Sequence, residues 1–213
     1  MAVIHHTTLR PTKLELLASW LPSRPWYLGG TDEPDLAKAG GFRLDDPQGA
    51  VGIEFMVVTD ASGARPTTYL VPLTYRGAPL DGAEHALVGT MEHGVLGRRW
   101  AYDGCHDPVL VSRLPALIEG RVQAQAQSIS DTPDLEVTRS YSGDGLAATD
   151  FTSATDDPEG TELSAPDGAV LRLHRVLRPA PDGTPEGAVG HLAGPWRMPD
   201  GTRQRGLFAV VHA

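Results

Sequence analysis

The sequence predicts an α+β fold, built mainly from antiparallel strands with packed helices. Three observations lead there. Apolar residues recur at helical spacing in two short stretches, 12–21 and 106–119. Between and after them the chain breaks into extended segments parted by glycine, proline and aspartate turns. The 24 Gly and 18 Pro among 213 residues supply those turns, and the 40% hydrophobic content suffices for one sizeable core or two small ones.

The first helix is set by Leu14, Leu17, Ala18 and Leu21, with Thr12 placed to cap its amino end and Pro22 and Pro25 to stop it. Trp20, Trp26 and Tyr27 follow as an aromatic plug expected to fasten the helix to a sheet. From Val51 the extended segments are 51–59, 67–75, 85–91 and 95–102, with turns at Ser62-Gly63, Gly77-Ala78-Pro79 and Gly94. Their short connections imply a meander of sequentially paired antiparallel strands. The second helix, over 106–119, buries Val109, Leu110, Leu114, Leu117 and Ile118. Asp107-Pro108 starts it and Gly120 closes it.

Beyond it, 121–129 and 135–141 read as a further pair of strands, and 142–167 as a loop rich in Gly, Asp, Ser and Thr. Two more strands, 169–177 and 205–211, are joined by a linker at 178–187 and a stretch containing Trp196. The last is expected at a sheet edge, where a second copy could pair. A seam near Tyr102–Asp107 would divide the chain into 1–104 and 105–213, and one continuous unit fits the same pattern.

The 27 acidic and 18 basic residues give a formal charge of -9, which opposes the counterion release that drives nucleic-acid binding. Nucleic acid is therefore not an expected partner. Cys105 is the only cysteine, so no intramolecular disulfide or thiolate zinc cluster can form, which fits a reducing compartment. No apolar stretch reaches the ~20 residues that span a bilayer, and the first residues lack a basic-then-apolar leader. The expectation is a cytoplasmic protein without a membrane partner.

Candidate chemistry is sparse. His93, His106 and Asp107 lie near Glu92 and Asp103, but no H-E-x-x-H or other zinc spacing is present, so neither metal nor cofactor is expected. Cys105 beside His106 makes no nucleophilic pair, because chain neighbours rarely point at one another, and a buried thiol is expected. The segment 94–103 is richer. On a strand, Arg98, Trp100 and Tyr102 point one way and Arg99 and Asp103 the other. An aromatic face beside charged hydrogen-bonding groups suits a sugar ring, and a structural cross-strand cluster suits the same residues.

The run Trp20-Leu21-Pro22-Ser23-Arg24-Pro25-Trp26-Tyr27-Leu28-Gly29 resembles the W-L-x-x-R-x-W-Y-x-G opening of maltokinases and the aminosugar kinases related to them. The resemblance implies a cystatin-like cap, in which a helix packs on a curved antiparallel sheet, followed by a part equivalent to a kinase N-lobe. Segments 107–120 and 169–175 look like that second part. Where those kinases carry a lysine for nucleotide phosphates, this chain has Arg172, whose planar fork is not equivalent to an ammonium. The family places its catalytic aspartate and magnesium ligands in a C-terminal half. No H-x-D with a following Asn, no G-x-x-x-x-G-K-[ST] and no D-F-G stands in these 213 residues.

The resemblance thus implies a non-catalytic binding or regulatory module beside enzymes of α-glucan, maltose or trehalose metabolism, its partner a sugar, an oligosaccharide or a glucan-metabolising enzyme. Two other readings stand with it. One is a carbohydrate enzyme using Glu92, Asp103 or Asp107 around Trp100. The other is the N-terminal half of a split sugar kinase, completed by a partner carrying the C-lobe, with Arg172 facing nucleotide.

Overall fold

The structure, a computed structural model, describes residues 8–129, 131–143, 145–146, 151–180 and 183–212. A two-residue strand β1 (Leu9–Arg10) precedes helix α1 (Lys13–Trp20). Thr12 caps that helix as expected. Its hydroxyl accepts the Glu15 amide at 3.2 Å while the Glu15 carboxylate accepts the Thr12 amide at 2.7 Å, a reciprocal capping box. The strands β2 (Leu36–Leu44), β3 (Gly52–Asp60), β4 (Thr67–Arg76), β5 (Leu87–His93) and β6 (Gly97–Asp103) follow. Helix α2 (Pro108–Glu119) has Asp107 as its cap, Pro108 at its first position and Gly120 at its end.

The rest of the chain adds β7 (Thr138–Tyr141), β8 (Ser153–Asp157), β9 (Gly160–Ser164), β10 (Val170–His174), β11 (Gly190–Arg197) and β12 (Arg203–His212). Two six-stranded antiparallel sheets result. The first has the order β1-β5-β6-β4-β3-β2 and the second β7-β11-β12-β10-β9-β8. The α+β expectation is borne out.

Several local expectations are not. The first sheet is no sequential meander, because β6 lies between β4 and β5. Residues 36–44 form a strand, although Lys38, Gly40 and Gly41 break their apolar pattern. The register slips between Lys38 and Gly40, and Gly41 at φ 127° brings its Cα so near the Phe55 carbonyl that a Cβ would stand 2.2 Å from it. The expected loop 142–167 contains the β8–β9 hairpin. The expected pairing of 121–129 with 135–141 reduces to contacts of 124–126 with 132–134, and β7 pairs with β11 instead. The last strand, β12, lies inside its sheet between β11 and β10, so it offers no free edge.

The layers explain the burial. On β3 and β4, Met56, Val58, Tyr69, Val71 and Leu73 meet Leu17, Leu21 and Trp26 from α1 and the turn after it. Ile53, Phe55, Val57 and Leu70 face the other way, into a core shared with α2 and the second sheet. There Phe42 stacks on Phe55 at 4.4 Å and on Phe208 at 6.2 Å.

The sheets join at one corner. β6 pairs with β4 only over Leu73–Arg76, leaving the first half of β4 open on that side. The chain leaving β10 fills the gap: the Leu70 amide donates to the Arg175 carbonyl and the Leu177 amide to the Thr68 carbonyl. At the corner Arg175, fully buried, donates twice through Nη2 to Asp103, at 2.8 and 2.7 Å, and through Nε to the Thr161 hydroxyl at 2.6 Å. Its guanidinium lies 5.0 Å from the Trp26 ring centroid. Substituting Arg175→Met alone strands a buried carboxylate and should cost about 3–5 kcal/mol in urea unfolding, whereas adding Asp103→Leu should recover most of that loss. A double variant no more stable than the single would refute the uncompensated charge as the cause.

Candidate functional site

The aromatic run after α1 is spent on packing. Trp20 and Trp26 meet edge to face at 5.8 Å, Trp26 lies 6.0 Å from Tyr69, and Tyr27 stacks on Tyr69 at 5.6 Å. Arg24 covers the Trp20 ring at 4.7 Å. The Tyr69 hydroxyl accepts the Leu28 amide at 3.0 Å, and the Tyr27 hydroxyl donates to Asp60 at 2.7 Å. Gly29 follows because a Cβ there would stand 1.9 Å from the Tyr27 hydroxyl oxygen.

Asp60 also accepts the amides of Asp35 and Ser62. Burial pushes its carboxyl up, yet these donors outweigh burial and hold it below the ordinary carboxylate range. Its partner Tyr27 moves the other way. Burial first, then the hydrogen bond to Asp60 and its charge, push the phenol up to about 12.

β6 carries the sugar-type candidates as alternation requires. Arg98, Trp100 and Tyr102 share a face, with the Arg98 guanidinium 6.0 Å from the Trp100 ring. Trp100 is half-buried against Leu80, Ala83, Ala86 and Tyr102, and the Tyr102 hydroxyl accepts the Leu80 amide at 2.8 Å. Arg98 reaches across to Glu92 on β5 at 3.2 Å, and both side chains stay in solvent. The result is a half-open ring with one acid and one guanidinium beside it on a sheet face.

Asp103 turns away from that face, to Arg175. Arg172, in the second sheet, donates to both oxygens of Asp157 at 2.6 and 2.7 Å and stands 3.4 Å from Glu162 and 3.6 Å from Glu159. A phosphate approaching Arg172 would have to displace the Asp157 carboxylate. Asp107 is held by Arg76 through two bonds of 2.7 Å and caps α2. Glu92 and His93 end β5, remote in register from the segment that holds Asp103 and Asp107. Cys105 is buried as expected, and burial pushes its thiol far above the ordinary range, so it is a poor nucleophile.

Two features were not read from the sequence. His106 comes together with Asp103 and with Asp156 of β8, and His85 lies against it. No spacing motif signals this, since Asp156 is 50 residues from His106 and sits in a polar stretch that reads as a loop. The second is a cleft of about 260 Å³ where the β2 bulge opens toward β11. Phe42, Trp196 and Phe208 floor it, while Asp134, Glu136, Arg197 and Arg203 stand at its rim. The three rings are almost wholly covered, so the cleft offers no broad aromatic face.

Residues 20–107 match the model of the maltokinase N-terminal cap domain, which bears out the resemblance carried by Trp20–Gly29. No curated protein matches the chain. The match begins at the last residue of α1 and stops at the cap of α2, so the second sheet lies outside it.

The Tyr27–Asp60 pair gives a pH signature. The folded phenol titrates near 12 and the unfolded one near 10.0, so its stabilisation is complete below pH 10 and disappears as pH rises toward 12. Tyr27→Phe should lower stability by about 1–2 kcal/mol at pH 8. The gap between variant and wild type in urea unfolding should close by pH 12, and a gap that stays constant would show that the bond is not its source.

Proposed function

We propose that this chain, a maltokinase-related cap over residues 20–107, works as a non-catalytic binding module in α-glucan, maltose or trehalose metabolism, with an α-glucoside bound on the Arg98–Trp100 face of β6. The observation that carries the reading is the division of labour among its aromatics. Trp20 and Trp26 of the family run are buried in the α1 layer and Tyr27, partly buried, is tied to Asp60, whereas Trp100 is partly exposed beside Arg98, Tyr102 and the Glu92 side chain. A pyranose can lay its C–H face on such a ring and hydrogen-bond the flanking guanidinium and carboxylate.

Two further observations support it. Arg172 is already neutralised by Asp157, which favours a sugar platform over a nucleotide seat. Asp103 and Asp107, the carboxylates that an enzyme reading would use, are each held by two bonds from an arginine. The proposed occupant comes from the chemistry of the face, and the pathway from the family resemblance.

Calorimetric titration of the purified protein with maltose, trehalose, maltotriose and Mg-ATP tests the proposal. Saturable heat with a glucoside is expected, weakened at least tenfold in Trp100→Ala, which corresponds to about 1.4 kcal/mol, and unchanged in Arg203→Ala at the cleft. Silence with all three sugars, or heat with Mg-ATP alone, would overturn it.

A further inference from the structure

At the corner between the sheets three donors converge from separate elements. Asp103 ends β6, His106 lies in the single 3-10 turn Gly104–His106 that leads to α2, and Asp156 comes from β8 of the other sheet. One donor atom from each lies within 4.8 Å of the other two. Three donors placed about 2.1 Å from a shared ion stand roughly 3–3.6 Å apart, so the side chains would draw together by up to about 1 Å for one ion to touch all three.

The surroundings are arranged as those of metal ligands are. Ligating imidazoles and carboxylates are ordinarily held by further hydrogen bonds that fix their orientation. The Nδ1 of His106 is 3.2 Å from the Nε2 of His85, with the rings at 88°, so the other nitrogen of His106 is left to coordinate. The buried Thr161 hydroxyl donates to Asp156 and accepts from Arg175. Arg175 in turn holds Asp103, whose Oδ1 also accepts the Cys105 amide at 3.1 Å. Two aspartates against one guanidinium leave the cluster a single negative charge, which a cation offsets.

We propose that Asp103, His106 and Asp156 form a binding site for a divalent first-row transition metal, with His85 positioning the His106 ring. An imidazole with two carboxylates suits zinc, manganese or cobalt better than magnesium or calcium. A bound ion would tie the end of β6 and the turn before α2 to β8, adding a cross-link between the sheets beside Arg175. The site is on the opposite face of β6 from Trp100 and does not depend on the glucoside reading.

The test uses the whole chain, stripped with EDTA and titrated with Zn²⁺ and Mg²⁺ by calorimetry and with Co²⁺ by visible absorption. One Zn²⁺ per chain, a cobalt d–d band shifted from that of the aqueous ion, and Mg²⁺ binding at least a hundredfold weaker are expected. His106→Gln and Asp156→Asn should each weaken Zn²⁺ at least tenfold, and His85→Ala about tenfold, while His93→Gln leaves it unchanged. Unfolding curves of the metal-free variants separate loss of the site from loss of the fold, and the exposed His85 provides a variant that leaves the core intact. No uptake of Zn²⁺ or Co²⁺, uptake undiminished by His106→Gln and Asp156→Asn, or Mg²⁺ bound as tightly as Zn²⁺ would overturn the proposal.

Discussion

The ion pair of Arg175 and Asp103 is the constraint on which the other contacts at the corner depend. Neither side chain reaches solvent, and burying two charges costs more than their attraction returns unless the remaining hydrogen-bonding positions are also filled. Here most are: Thr161 takes the Arg175 Nε, the Trp26 ring lies beside the guanidinium, and the Cys105 amide takes a further lone pair of Asp103, while Arg175 Nη1 is buried without a hydrogen-bond partner among the described residues. The pair therefore fixes four things at once: the end of β6, the turn into α2, the indole of Trp26 and the point where the chain leaves β10 to pair with β4. Any other packing of the two sheets would leave a charge buried without its partner.

The double covering of β3 and β4 follows from that corner. An antiparallel strand with one wet face alternates apolar and polar residues, yet 55–58 and 69–71 read as unbroken apolar runs. α1 covers one face and the second sheet the other, so both sets of side chains are buried. β5 and β6 are covered only in part: Val88 packs into the α1 layer and Met91 is buried. There Leu87, Val95 and Leu96 remain exposed and Trp100 is only half-covered. Surface available for recognition is thus set by where the covering layers stop.

What could be read from the sequence was what local chemistry encodes. Both helices lie within a residue or two of their expected limits, because Thr12, Asp107, Pro108 and Gly120 are caps and stops acting through their own backbone neighbours. The strands of the first sheet were legible from β-branched and aromatic runs, except the two-residue β1, and β2, whose glycines serve a bulge and a close approach to β11 that only the folded chain reveals. β8 and β9 were hidden by Asp, Thr and Ser, which take part here in a hairpin tied by Arg172. β11 was hidden by Gly194 and Pro195. The pairing of Asp103 with Arg175 spans 72 residues, and no periodicity carries a contact of that range. The same limit hid Asp156 beside His106, while the alternation that sets Arg98, Trp100 and Tyr102 on one face is purely local and was readable.

The boundary of the family match does not coincide with any boundary in the packing. The match ends at Asp107, but Asp107 is bound by Arg76 of the matched sheet and itself starts the helix that lies outside the match. Phe42, which stacks on Phe55 within the matched part, also stacks on Phe208, which lies outside it. Asp103 belongs to it too, yet its countercharge and the third donor of the corner cluster, Asp156, come from the second sheet. A cap cut at residue 107 would keep Trp26 and lose Arg175, leaving a buried carboxylate uncompensated and the first half of β4 unpaired on one side. Residues of both sheets thus share one core cluster. The surface of the part that matches the cap domain is therefore held in place by contacts from both sheets.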